Sequence, residues 1–162
     1  MKFSIHSTAF SKVMQAVLKV IPRNGALPIL DNVLLNVERE CVGVTASDSN
    51  TTLRVAVKEG GADLHVEQGG SACIPARLFA EILATVPAGP VCIASCEGET
   101  KITISWNDHS ESSLPSFNVM DYPLPPDGPE RVRVFEVDAA PLLGALRHAV
   151  PVVQPDPIRP AM

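Results

Sequence analysis

The sequence predicts an α+β domain made of two strand-helix-three-strand units, with the start of a third behind them. Three stretches share one arrangement: an alternating or apolar strand, a small or polar residue, then apolar residues near helical period. They read KFSIHSTAFSKVMQAVLKVI, SACIPARLFAEILATVP and VRVFEVDAAPLLGALRHAVP. Phe10 to Phe79 spans 69 residues and Phe79 to Leu143 spans 64, a spacing that marks an internal repeat. Between the helices the chain alternates or is β-branched and is broken by turn formers, as antiparallel strands require.

Each element follows from its residues. In the first helix Phe10, Val13, Met14, Val17, Leu18 and Ile21 recur at i, i+3, i+4 and i+7, with Ser7 or Thr8 as the expected cap. Pro28 forbids that helix from continuing, and Leu27, Ile29 and Leu30 are expected to pack under the sheet as the chain enters its next strand. NVLLNVER, CVGVTASD and TTLRVAVKE supply three strands, and Asp48 with Asn50 forms a hairpin turn between the last two. The second helix places Phe79, Ile82, Leu83 and Val86 on one face, and PVCIASCEG, TKITISWND and ESSLPS follow it as strands. The third uses Leu142, Leu143, Leu146 and Val150, with Asp138 before it and Pro141 in its first turn. One helix covers only part of a three- or four-stranded antiparallel sheet, so two units are needed to close one core. FNVMDYPLPPDGPE (117–130) has four prolines and no usable period and reads as a linker; the expected domains are 1–123, a linker proper at 124–130, and an incomplete second domain at 131–162.

Composition narrows the function classes. A chain of 162 residues suits one domain and part of a second. Aromatics make up 4% of it, so the core must be mostly aliphatic. No apolar run reaches the roughly 18 residues of a membrane span and no signal-peptide core opens the chain, which gives a cytoplasmic expectation and no membrane partner. Cys41, Cys73, Cys92 and Cys96 are too few and too apolar in setting for a disulfide framework and are read as reduced packing residues. The net charge of −5 argues against a general nucleic-acid binder, yet residues 1–30 hold Lys2, Lys12, Lys19 and Arg23 and no acid. Such asymmetry suits a local anion-facing surface on an acidic body.

Five motifs in order then carry a resemblance: MKFSI at the start, LPILDNVLLNVE after the first helix, VTASDSNTTL at 44–53, IPARLFAEIL at 74–83 and MDYPLPP at 120–126. Together they resemble the bacterial sliding clamp, the beta subunit of DNA polymerase III. The resemblance implies a DNA clamp fold with helices on one face of antiparallel sheets, three domains per chain, and two chains joined head to tail around duplex DNA. It also implies that the third domain and most of the second lie outside these residues. The expected role is a non-catalytic processivity factor that tethers DNA polymerase III, with a clamp loader as a further partner and a homodimer ring in the full-length protein. A truncated clamp-like interaction module that does not encircle DNA by itself is the alternative.

Site residues follow from both lines. Lys12, Gln15 and Lys19 fall on the polar side of the first helix, where ammonium groups would meet phosphates in a sequence-independent, salt-sensitive way. The bland reading of that face is a solvated helix surface. By resemblance, the loop before LPILDN carries a DNA-contacting basic residue, which Arg23 or Asn24 would match. Arg77 on the second helix, Arg147 beside His148 on the third, and Arg159 in the loop after it complete the expected DNA set. Ser112 and Leu114 mark the expected dimer edge. Catalysis finds little footing, because His6, His65, His109 and His148 are scattered. Cys92 and Cys96 would stand about 13 Å apart along a strand, too far to share a metal. No cofactor or metal is expected.

Overall fold

The structure is a computed structural model, and it describes residues 1–22, 27–60, 62–95, 100–107, 110–123 and 135–152. It divides into two units, Met1–Pro125 and Pro126–Met162.

The first unit runs β1 (Lys2–His6), α1 (Ser7–Val17), β2 (Asn32–Glu38), β3 (Cys41–Ser47), β4 (Thr52–Lys58), β5 (His65–Gln68), β6 (Gly70–Pro75), α2 (Ala76–Thr85), β7 (Pro90–Ala94), β8 (Lys101–Trp106) and β9 (Ser110–Pro115). The strands form two antiparallel sheets, ordered β5-β1-β7-β8-β9 and β4-β3-β2-β6. The repeat is therefore interlocked. β1 begins the first repeat but pairs with β7 of the second, while β6 begins the second and pairs with β2 of the first. Each unit's opening strand completes the other's sheet, which periodicity alone does not reveal.

Alternation decides what each strand buries. Phe3 and Ile5 of β1, Val91 and Ile93 of β7, and Ile102 and Ile104 of β8 point inward from one sheet. Val33, Leu35 and Val37 of β2, Val42, Val44 and Ala46 of β3, and Ala72 and Ile74 of β6 do so from the other. Both helices add their stripes to this single core: Phe10, Met14 and Val17 from α1, Phe79 and Leu83 from α2. Phe10 sits at its centre, edge-on to Phe3 at 5.9 Å and to Phe79 at 5.6 Å between ring centroids. The two phenylalanines that mark the sequence repeat thus meet across the helix pair.

Several expectations need correction. Neither Ser7 nor Thr8 caps α1; His6 holds the N-cap position. Ser7 is buried instead, donating to the Pro87 carbonyl at 2.9 Å and accepting from the Gly89 amide at 3.2 Å, so it ties α1 to the loop after α2. Asp48 does make the hairpin turn, its carboxylate accepting from the amides of Asn50 and Thr51 at 2.9 and 2.6 Å.

The oily run LPILDN packs against the sheet only in part, through Ile29 and Leu30 and on the face away from the main core. Pro28–Asp31 form a 3-10 helix, Leu27 is exposed, and Leu30 is buried in a second, smaller cluster with Leu34, Cys73 and Tyr122. Leu34 and Cys73 point away from the main core, because they alternate with Val33, Leu35, Ala72 and Ile74. The stretch just after β9, which has no usable period, supplies the rest of this cluster. Phe117 donates its amide to the Cys73 carbonyl at 2.8 Å, Asn118 caps a 3-10 helix over Val119–Asp121, and Tyr122 reaches the Thr45 carbonyl at 3.5 Å. Two of the five motifs, LPILDN and MDYP, are halves of one latch on the outer face of the sheet.

Burial pushes the Cys73 thiol up to about 11 and the Tyr122 phenol up to about 12. Both groups are neutral when protonated, and the unfolded chain releases these protons at lower pH than the folded one. Their contribution is therefore complete below the ordinary thiol and phenol values and is lost as pH rises through 11 and 12. The unfolding free energy measured by urea titration is expected to fall by on the order of 2 kcal/mol between about pH 8 and 11, and Tyr122→Phe should flatten the upper part of that fall.

In the second unit, α3 spans Ala139–Ala149 with Pro141 in its first turn, as expected. Asp138 occupies the N-cap position without a side-chain capping bond. No strand covers Phe135–Asp138, against the strand expected there, and 131–134 lie outside the described residues. Leu142, Leu143, Leu146 and Val150 are all exposed, a stripe without a sheet beneath it among the described residues.

Candidate nucleic-acid interface

The polar side of α1 is built by its apolar side. Once Phe10, Met14 and Val17 face the core, a helix of 3.6 residues per turn must turn Thr8, Lys12 and Gln15 to solvent. After Val17 the chain makes further turns, closed by the Lys19 amide on the Ala16 carbonyl at 3.3 Å and the Val20 amide on the Val17 carbonyl at 3.1 Å. Ile21 is buried and pins this extension to the core, which leaves Lys19 exposed two turns beyond Lys12.

Helix α2 packs beside α1, as the Phe10–Phe79 contact requires. Its exposed side shows Arg77, Leu78 and Glu81. The Arg77 guanidinium donates through Nη2 to the Ile21 carbonyl at 3.3 Å and the Pro22 carbonyl at 3.2 Å. It is thus engaged at the end of the α1 extension rather than projecting alone from α2.

Charge is segregated between the elements. Lys12, Lys19 and Arg77 have no ion-pair partner among the described residues; the pairs present are Lys2 with Glu67 at 2.7 Å and, when His65 is protonated, His65 with Glu59 at 3.9 Å. Of the described acids in the first unit, Glu81 alone lies on an α-helix. Asp31, Glu38, Glu40, Asp48, Glu59, Asp63, Glu67, Glu111 and Asp121 sit on strands, loops and 3-10 turns. Lys2, Arg39, Arg54, Lys58 and Lys101 sit among those nine acids on strands and loops, so the helix layer carries a net positive charge and the remainder a net negative one, and polyanions are drawn to the positive layer. Among the described residues no cluster of His, Cys, Asp and Glu could hold a metal ion.

The other expected residues fare differently. Arg23, Asn24 and Arg159 lie outside the described residues, as do Cys96 and His109. Arg147 is exposed in the last turn of α3, where a cation suits the helix dipole. Ser112 and Leu114 belong to β9, whose pairing among the described residues is with β8 alone, so the outer edge of β9 is open. Leu114 itself is 1% exposed and packs in the main core, with Ser112 on the same inward face. What the edge offers outward is its backbone and Glu111, Ser113 and Pro115, not the two residues expected from the sequence.

Residues 1–126 match the family described as DNA polymerase III beta subunit, N-terminal domain. The chain belongs to this family. Among its relatives are the beta sliding clamps of Staphylococcus epidermidis, 28% identical over 130 residues, and Staphylococcus aureus, 29% identical over 129. Each alignment covers 78% of this chain and 34% of the relative, so the chain spans about a third of the length of the clamps it matches. The crystal structure of the Bacillus subtilis sliding clamp superposes with a TM-score of 0.73 at 27% identity, covering 82% of this chain and 35% of that one. A Helicobacter pylori beta clamp, solved bound to a DNA ligase peptide, gives a TM-score of 0.77 over 96% of this chain and 41% of that one; at 18% identity it speaks for the fold alone. The α+β architecture expected from the repeat is thus observed, and the clamp fold and family are those that the motifs' resemblance implied.

What the sequence missed has identifiable signals. Arg77 occupies the second position of α2, where a positive charge opposes the helix dipole and so needs a negative partner elsewhere. MDYP carries an aromatic among prolines, a mark of docking rather than free linker. β5, with the short polar sequence HVEQ, has no such signal; it exists because β1 offers it an edge.

Proposed function

We propose that this chain provides the DNA-facing N-terminal part of a bacterial sliding clamp, a non-catalytic processivity factor that holds DNA polymerase III on duplex DNA. The observation that carries the reading is the charge segregation: Lys12, Lys19 and Arg77 share the helix side with one acid, while the other described acids of the unit lie elsewhere. Unpaired cations on a rigid helix layer attract phosphates without reading bases, which is what movement along a duplex requires. Family membership supports the clamp over a stand-alone interaction module.

The wider proposal follows the family. Residues 1–123 form the first clamp domain, 124–130 the linker and 131–162 the opening of a second domain, whose Arg147 and Arg159 would also contact DNA. Arg23 and Asn24 would extend the α1 face toward the duplex. The open edge of β9 would pair with a second chain in a homodimer ring, a clamp loader would open that ring, and the whole would act in the cytoplasm.

Binding to a fluorescent duplex over a salt series tests the DNA face. The full chain should lose affinity as salt rises, and Lys12→Ala/Lys19→Ala/Arg23→Ala should bind more weakly and reduce the log–log slope by roughly 2 to 3. Equal slopes for the two proteins would sink the assignment.

A further inference from the structure

We infer that Arg77 is a positioning residue: it fixes the turn that presents Lys19, and acts on DNA through that turn rather than by meeting phosphate itself. The inference rests on the DNA-face reading above and assigns one of its cations a different task.

A helix leaves its last carbonyls without intrahelical partners, and they form the negative end of its dipole. A basic side chain in the last turn is the usual remedy, and α1 has none. Its extension through Leu18, Lys19 and Val20 is closed on the carbonyls of Met14, Ala16 and Val17, and the carbonyls of Ile21 and Pro22 that follow accept from the Arg77 guanidinium. Arg77 comes from the opposite situation. It stands in the first turn of α2, which contains no acid, so its own helix repels it. Because the helices pack side by side, the guanidinium can cross to Ile21 and Pro22, just past the turn that extends α1, where carbonyl oxygens accept the charge its own helix end disfavours.

The consequence concerns Lys19. Ile21 is held from below by burial and from above by Arg77, so the turn containing Lys19 is clamped from both sides. An ammonium on a fixed turn loses less freedom on meeting a phosphate than one on a fraying helix end. Arginine suits the task because its planar fork can serve two carbonyls and is always charged.

The test uses the full chain with Arg77→Ala, Arg77→Lys, Lys19→Ala and the Arg77→Ala/Lys19→Ala double variant. Without DNA, the Lys19 and Val20 amides should exchange roughly tenfold faster in Arg77→Ala, while amides of Val42–Ala46 keep the parent rate, and Arg77→Lys should restore most of the protection. On a duplex, Arg77→Ala should weaken binding by about fivefold in the parent background but by less than about twofold once Lys19 is replaced, because a positioning residue has nothing left to position. An equal loss in both backgrounds would make Arg77 a direct phosphate contact and overturn the inference, as would unchanged exchange. A parent chain with no measurable duplex affinity would overturn the DNA-face reading, and the Arg77 role with it; the exchange measurement would still report the tie to α1, so the two failures are told apart.

Discussion

Phe10→Ala is expected to destabilise the first unit by about 3 to 5 kcal/mol, which consumes most of the stability of a domain this size. The ring is fully buried and touches Phe3 on β1 and Phe79 on α2, so its removal opens a cavity where the two interlocked repeats meet. Phe79→Ala should cost a similar amount. The double variant should lose less than the sum, by about 0.5 to 1.5 kcal/mol, since each single change already abolishes their edge-to-face contact. Urea titrations with matched m-values would measure the cycle. Strict additivity would mean that the repeats are stabilised independently and that their shared centre carries no coupling.

That expected coupling shows where sequence reading succeeds. Phe10 and Phe79 stand at equivalent positions of two similar stretches, and an internal repeat needs its apolar stripes to face one another. Helix faces, most strands and the need for two units are legible because each depends on local period. The exchange of β1 and β6 between sheets is not, because strand pairing is set by which edge is free in three dimensions. Leu114 is the same lesson at one residue. ESSLPS reads as an edge strand and is one, but so short and polar an alternation does not say which of its sides turns inward.

The candidate interface is legible in part for a similar reason. Lys12 and Lys19 are exposed because the stripe opposite them is buried, and seven-residue spacing reports this directly. Arg77 reads as one more cation, since its engagement depends on a carbonyl in the stretch that follows the neighbouring helix, 55 positions away in the chain. Opposed dipole positions on two packed helices are a physical cue, but one that works only after their packing is known.

Tyr122→Ala is expected to release the latch on the outer sheet face while leaving the main core folded. Tyr122 is 4% exposed and packs with Leu30, Leu34 and Cys73, so truncation should cost about 2 to 4 kcal/mol, the lower part of that range being natural for a cluster this small. Tyr122→Phe should cost below about 1 kcal/mol, because the hydroxyl's bond to Thr45 is long, at 3.5 Å, and the packing is retained. Hydrogen exchange separates local from global loss. In Tyr122→Ala the amides of Phe117, Asp121 and the substituted position itself should lose protection along with Leu30, while Val44 and Ile104 in the two sheets remain slow. If all of these amides accelerate together, the latch is an inseparable part of the core. If only the first set does, then LPILDN and MDYP act as a separate cooperative unit that holds the loop after α1 and the exit from β9 against the same sheet face.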